Sequence, residues 1–305
     1  MVCEKDFSRL FLENAPFWHL CTSGQLSGIL FSAKEDYVYA MNLTALCASI
    51  YKGRVKIYTF QVMSNHFHFV LSGSKEDVLG FFEEFKRRLH RFFASRKELQ
   101  KLRGFKCNLL EISDLVYLRS LIAYVNRNAF VVNATITPCS YEWGPNRFFF
   151  SNISSLEARR SITEISQKER QKIFRTHYNG FPDSFYFTNG YVSPLCYCHI
   201  SDCEAFFFNS HQYFHFLSRR IEAYADIAKD LGEKIFYTDD EIFSAAVSLS
   251  AKKFDVKKLT ALDSEQRIEI AKILHFNFRA SNKQIARVLG VTIGFVDSLF
   301  PIPLK

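Results

Sequence analysis

A chain of 305 residues with 48% hydrophobic side chains can bury a sizeable core and is longer than one average domain, which excludes a wholly disordered protein. Its 39 Lys plus Arg against 31 Asp plus Glu leave a net charge of +8 and a pI near 9.0, a balance that favours an anionic partner such as nucleic acid. No window approaches the ~18 uninterrupted apolar residues of a membrane span, and eight scattered cysteines behind a charged start with no signal-like apolar block suit reduced thiols, so a soluble, cytoplasmic protein without a membrane partner is expected.

Phe17 to Gly24 reads as an apolar strand ending in turn residues, and a second apolar run covers Gly28 to Ser32. Ser32 to Tyr51 places Tyr37, Met41, Leu43, Leu46 and Ile50 near helical spacing behind a serine boundary, and Gly53 stops that helix. Val55 to Met63 alternates as a strand, Ser64-Asn65 forms a tight connection, and His66 to Leu71 alternates again, which predicts an antiparallel hairpin.

Ser74 to Arg96 carries one apolar stripe through Val78, Phe81, Phe82, Phe85, Leu89 and Phe92, hence a helix with a charged outer face. From Lys75 to Lys106 ten Lys or Arg stand against five Asp or Glu, and Lys86, Arg87, Arg91 and Lys106 are candidate DNA phosphate contacts. Phe105 to Glu111 reads as a strand and Asp114 to Asn128 as a helix capped by Ser113 or Asp114. The fold class expected is α+β: an antiparallel sheet with flanking helices, closed by the loop Asn133 to Pro145 and ending near Phe150. Residues 151–180 read as a linker or helical bridge, and 181–305 as a mainly helical accessory region. Within it, Ser264 to Phe300 has helix-turn-helix patterning around Ser281 and Gly290.

Chemistry concentrates at the hairpin. Strand alternation puts His66 and His68 on one face while Phe67, Phe69 and Leu71 point to the other, and two imidazoles at that spacing supply most of a small divalent-cation site. Tyr124 and Asn128 are four apart, so a helix carries a phenol and an amide oxygen on one face; packed over the histidine strand, they reach the same volume. An open cation held by His66, His68 and Asn128 polarises a phosphodiester, and an activated phenol is a nucleophile toward phosphorus. The plain alternative is that the two histidines form a polar strand face and Tyr124 is one more of 14 tyrosines buried by its ring.

Met63-Ser64-Asn65-His66-Phe67-His68-Phe69-Val70-Leu71, then Arg103-Gly104-Phe105-Lys106, then Tyr124-Val125-Asn126-Arg127-Asn128, then Pro138 with Tyr141 and Trp143, resemble in order and approximate spacing the single-tyrosine HUH transposases, above all their REP-associated branch. The likeness covers about the first half of the chain and includes Trp18-His19-Leu20 and Asp36-Tyr37. It implies a ferredoxin-like sheet and a divalent cation, Mg²⁺ or Mn²⁺, on His66, His68 and Asn128. It further implies Tyr124 as the catalytic nucleophile on single-stranded or hairpin DNA, joined to the 5′ phosphate with a free 3′ hydroxyl released. Relatives differ in whether the tyrosine serves its own subunit's metal, so a homodimer is a partner to test for. Ser64, Asn126 and Ala129 depart from the family pattern, and none removes a catalytic group. Some relatives also end in helices containing a Lys-Gln-Ile-Ala-Arg turn unit, here Lys283 to Arg287.

Two rival functions use the same residues: a non-catalytic DNA-binding regulator on this fold, and a metal-dependent phosphohydrolase that uses water. Elsewhere, Cys196, Cys198, His199 and Cys203, with His211 and His215, invite a zinc reading, but paired Cys-x-x-Cys knuckles are missing and free thiols in an aromatic core are expected.

Overall fold

The computed structural model describes residues 4–22, 29–132, 138–151, 158–218, 239–256, 258–278 and 280–301. The turn expected at Ser23-Gly24, and residues 133–137 of the expected closing loop, lie outside them. The chain is α+β and divides into two compact units, residues 1–129 with 136–217 and residues 130–135 with 218–305. No helix among the described residues is long and apolar enough to cross a membrane.

In the first unit, α1 (Glu4–Asn14) leads into β1 (Phe17–Thr22), followed by α2 (Lys34–Ile50), β2 (Lys56–Val62), β3 (Phe67–Ser72), α3 (Lys75–Ser95), β4 (Cys107–Ile112) and α4 (Leu115–Val132). The four strands form one antiparallel sheet in the order β2-β3-β1-β4. β2 and β3 make the expected hairpin, with Gln61 opposite His68, while Cys21 of β1 opposes His68 from the other side. Strand alternation therefore turns His19, Cys21, Thr59, Gln61, His68 and Val70 to one face and Leu20, Phe60, Phe67, Phe69 and Leu71 to the other.

The phenylalanine face takes α2 and α3. Phe81 and Phe85 of α3 lie edge-on to Phe69, and Phe85 edge-on to Phe67, all of them buried; each such ring contributes about 1.5–3 kcal/mol by burial. Ser74 caps α3 by accepting from the Asp77 amide at 3.1 Å. The serine boundary expected for α2 sits one residue further on, at Ala33, which has no side-chain acceptor. Asp36 reaches back instead, accepting from the Ser32 and Ala33 amides at 3.1 and 3.3 Å. The run at Ile29 to Phe31 is not a strand: Leu30 and Phe31 both donate to the Ser64 carbonyl, at 2.7 and 2.9 Å, and brace the β2-β3 turn.

The boundary expected near Phe150 falls instead at Leu217, and residues 151–180 do not act as a linker. This part holds β5 (Arg160–Ser161), α5 (Gln167–Phe174), β6 (Tyr186–Thr188), β7 (Tyr191–Val192), α6 (Ile200–Glu204) and α7 (Ser210–Leu217), so 181–217 is not mainly helical either. Buried polar contacts tie it to the four-stranded sheet and its helices. Asn42 donates to the Gly190 carbonyl at 3.2 Å and accepts from the Val192 amide at 3.0 Å, and the His199 amide donates to Ile57 of β2 at 2.8 Å. The expected loop closure holds for its described part: Val62 donates to the Trp143 carbonyl at 2.9 Å and Tyr141 donates to the Val62 carbonyl at 2.6 Å. Gly144 is required there, because a Cβ would lie 2.7 Å from the Phe60 carbonyl oxygen.

The second unit packs α8 (Asp239–Phe254), α9 (Ser264–Phe276), α10 (Asn282–Leu289) and α11 (Ile293–Leu299) around Ile242, Ala246, Ile270, Leu274, Ile285 and Val296. Ser281 and Gln284 form a capping box, Gly290 closes α10 at φ 63°, and Thr292 caps α11, which gives the expected helix-turn-helix connection. Asn282 fastens the two helices by donating to Asp297 at 2.8 Å and to the Phe300 carbonyl at 3.0 Å.

Candidate functional site

The sheet face opposite the phenylalanines is covered by α4, and the register of that helix is set by one residue. Asn126 is fully buried: its Oδ1 accepts from Thr59 at 2.5 Å, its backbone carbonyl accepts from Gln61 at 3.1 Å, and its Nδ2 donates to the Tyr213 hydroxyl at 2.8 Å. Two residues to either side, Tyr124 and Asn128 are thereby held over β3. The helix also begins as expected, with Asp114 accepting from the Tyr117 amide at 2.8 Å, and runs four residues past Asn128.

His66, His68, Tyr124 and Asn128 come together. His66 precedes β3 rather than lying in it, because the strand starts at Phe67, yet its ring stands 4.8 Å from that of His68 at 89°. The Tyr124 ring is edge-on to His68 with centroids 5.7 Å apart, and Asn128 Nδ2 lies 2.6 Å from His68 Nε2. Tyr124 is 7% exposed and His68 fully buried, while His66 and Asn128 are half-buried at the rim. Burial pushes the His68 pKa down to about 3, so its ring is neutral at pH 7. His66 Nδ1 lies 2.7 Å from Asn65 Oδ1, an atom that can only accept, so Nδ1 is the His66 nitrogen that carries a proton.

Two residues escaped the sequence reading. His19 Nε2 is 3.1 Å from His68 Nδ1, and Cys21 completes a buried group of three whose ligand-type atoms lie within 4.8 Å of one another. The His19 pKa lies well below the usual imidazole range, through burial first and the neighbouring His68 second. The two rings are nearly coplanar, 11° apart, and their 5.4 Å centroid separation exceeds the N–N distance by two ring radii. Both nitrogens therefore lie on the line between ring centres, the geometry of an N–H···N hydrogen bond; lone pairs sharing one cation would converge at an angle. A period-two His-x-Cys on β1 was the only signal available, and it acquires meaning through the Cys21 to His68 register.

The candidate phosphate contacts separate. Lys86, Arg87 and Arg91 belong to α3, which packs on the phenylalanine face, so they lie across the sheet from Tyr124. Arg87 is gripped by Glu84 at 2.5 Å and Lys86 is 4.0 Å from Glu83, which removes part of the charge excess. Lys106 is exposed just before β4, whose Asn108 opposes Cys21, and so stands at the same end of the sheet as His68. Cys196, Cys198 and Cys203 are free thiols, the latter two buried, and among the described residues they form no metal-type group with histidine. No family model, curated protein or solved structure matches the chain.

Proposed function

We propose that the protein is a divalent-cation-dependent endonuclease and strand-transferase on single-stranded or hairpin DNA, with Tyr124 as nucleophile, and that its β-α-β-β-α-β order is ferredoxin-like. What supports this most is the meeting of His66, His68, Asn128 and Tyr124 in one small volume between β3 and α4, residues that stand 62 positions apart at the extremes. The resemblance to single-tyrosine HUH transposases adds to the reading, and the basic chain suits the substrate.

The donor set fits a cation. A neutral His66 has its lone pair on Nε2, His68 Nε2 faces Asn128, and a turn of the Asn128 carboxamide brings its oxygen where the nitrogen now sits. Two imidazoles and one amide oxygen suit Mn²⁺ better than Mg²⁺; either ion, when bound, would polarise the phosphodiester and stabilise developing charge. The chain supplies the rest. The Tyr124 hydroxyl loses its proton to solvent as its oxygen bonds to phosphorus, the bond to the 3′ oxygen breaks and that oxygen takes a proton from solvent to leave as the 3′ hydroxyl, and the 5′ phosphate stays on the tyrosine. With 7% of its surface exposed, Tyr124 has to be uncovered when the strand binds. Of the four candidate basic residues, Lys106, at the site's end of the sheet, is the one placed to meet the phosphate backbone.

Incubating the full chain with a pool of single-stranded hairpin oligonucleotides and Mn²⁺ tests this. Nicked products that vanish with chelator support it; a protein that binds the pool and never cuts it, in Mn²⁺ or Mg²⁺, is the non-catalytic regulator instead.

A further inference from the structure

We infer that His19 is a positioning residue that keeps the proton of His68 on Nδ1 and so holds the Nε2 lone pair toward the cation site. The inference rests on the reading of His68 as a cation ligand. Both ring nitrogens of His68 have partners, Asn128 Nδ2 at 2.6 Å and His19 Nε2 at 3.1 Å. With the Asn128 carboxamide turned as it stands, its nitrogen donates to His68 Nε2, and a neutral imidazole then has its one proton on Nδ1. That proton points along the common plane of the two rings at His19 Nε2, which must accept it. His19 is left with its own proton on Nδ1, and that buried atom has no hydrogen-bond partner.

An unpartnered buried N–H is rare and calls for a reason. Here the reason is visible in the alternative. If His19 Nε2–H instead donated to an unprotonated His68 Nδ1, the orphaned group on His19 would be a mere lone pair, but His68 would carry its proton on Nε2, where a cation must bind. A strand residue with an aliphatic side chain would fill the space of His19 without either outcome. The sheet places His19 for this role, two residues along β1 from Cys21, the register partner of His68, and on the same face. Partners of metal-binding histidines that fix the tautomer in this way carry much of a site's affinity.

The test uses the full chain with ¹⁵N-labelled histidine, stripped of metal by chelator. Long-range ¹⁵N–¹H correlation reads the tautomer of His68, and loss of the free Mn²⁺ resonance signal reads affinity. We expect Nδ1–H in the wild type. In His19→Leu the Nδ1 proton faces carbon, so His68 should switch to Nε2–H with the Asn128 oxygen accepting, and Mn²⁺ affinity should fall about 10–100-fold. His19→Gln offers a carboxamide oxygen near the old Nε2 position and should restore both the tautomer and affinity to within a few fold. If His19→Leu does not fold, His19→Met carries the same expectations with a similar volume and only a weak acceptor. Wild-type His68 protonated on Nε2, or an unchanged tautomer in the aliphatic variant whatever its affinity, overturns the role and leaves His19 as packing. Wild-type protein that takes up no Mn²⁺ overturns the cation reading itself, and with it anything for His19 to position.

Discussion

Tyr124 meets His68 edge-on, with ring centroids 5.7 Å apart and planes at 89°. The contact is made by the ring, so Tyr124→Phe retains the packing and removes one oxygen. Stability should change by no more than about 0.5–1.5 kcal/mol, the net worth of one hydrogen bond. Affinity for a single-stranded oligonucleotide should stay within about twofold, since the nucleophile's oxygen is not a phosphate-positioning group. A melting scan and a fluorescence-anisotropy titration check both; a collapse of binding would make Tyr124 a DNA contact rather than a nucleophile.

Replacing the proposed ligands should have unequal effects. Asn128→Ala removes one neutral oxygen that water can replace, so cleavage should need roughly tenfold more Mn²⁺ and recover at high concentration. The His66 and His68 double replacement by alanine removes both imidazoles and should not recover. Mn²⁺ should act at lower concentration than Mg²⁺, which accepts nitrogen poorly. Titrating each variant with each metal decides the matter, and chelator-resistant cutting by the double variant removes the cation from the mechanism.

The extent of the first unit is testable by truncation. Tyr213 donates to Asn146 and accepts from Asn126, Arg119 donates to the Phe206 carbonyl at 2.5 Å, and Phe206 lies edge-on to Phe17 of β1. Residues 1–150 lack Phe206 and Tyr213 and should not melt cooperatively, whereas 1–217 should. Tyr213→Phe in the full chain leaves the buried Asn126 amide short of a partner and should cost about 1–3 kcal/mol. A 1–150 fragment melting within about 3 °C of 1–217 would return the boundary to Phe150.

Acid stability should report on Asp36. Burial raises its pKa, but the Ser32 and Ala33 amides and the Arg96 guanidinium outweigh that and hold it below the ordinary value of 3.8. A depressed carboxylate stabilises the fold above its unfolded pKa and loses that contribution as pH falls through the folded value. Asp36→Asn should therefore cost roughly 1–3 kcal/mol at pH 7, discounted because Arg96 is partly exposed, and the gap to wild type should narrow progressively below about pH 4. Denaturant melts at pH 7, 5 and 3 measure it; a gap independent of pH would mean that the charge contributes nothing.

Local patterns were legible where physics is local. The alternation across Val55 to Leu71 fixes the hairpin, and the four-residue spacing of Tyr124 and Asn128 fixes their shared helix face, because both depend only on strand and helix periods. His19 and Cys21 were not legible, since their meaning comes from pairing with a strand about 50 residues away. The same holds for Tyr213 and Cys198, whose partners lie in α4 and β2; their stretch read as part of a mainly helical accessory region. The basic run on α3 misled for a different reason: composition counts charges, while Glu84 holds Arg87 and Arg88 and the phenylalanine stripe decides which side of the sheet the helix occupies.

The central claim is that the Tyr124 oxygen attacks DNA. The direct measurement is to incubate the full chain with Mn²⁺ and a hairpin oligonucleotide from the cleaved pool, denature, digest the protein and sequence the nucleotide-bearing peptide by mass spectrometry. The account predicts a 5′-phosphate ester on Tyr124 in the peptide spanning Ser120 to Arg127, absent with chelator and absent in Tyr124→Phe. An adduct on Tyr117 or any other residue, or strand cleavage that proceeds with no covalent species at all, would contradict it.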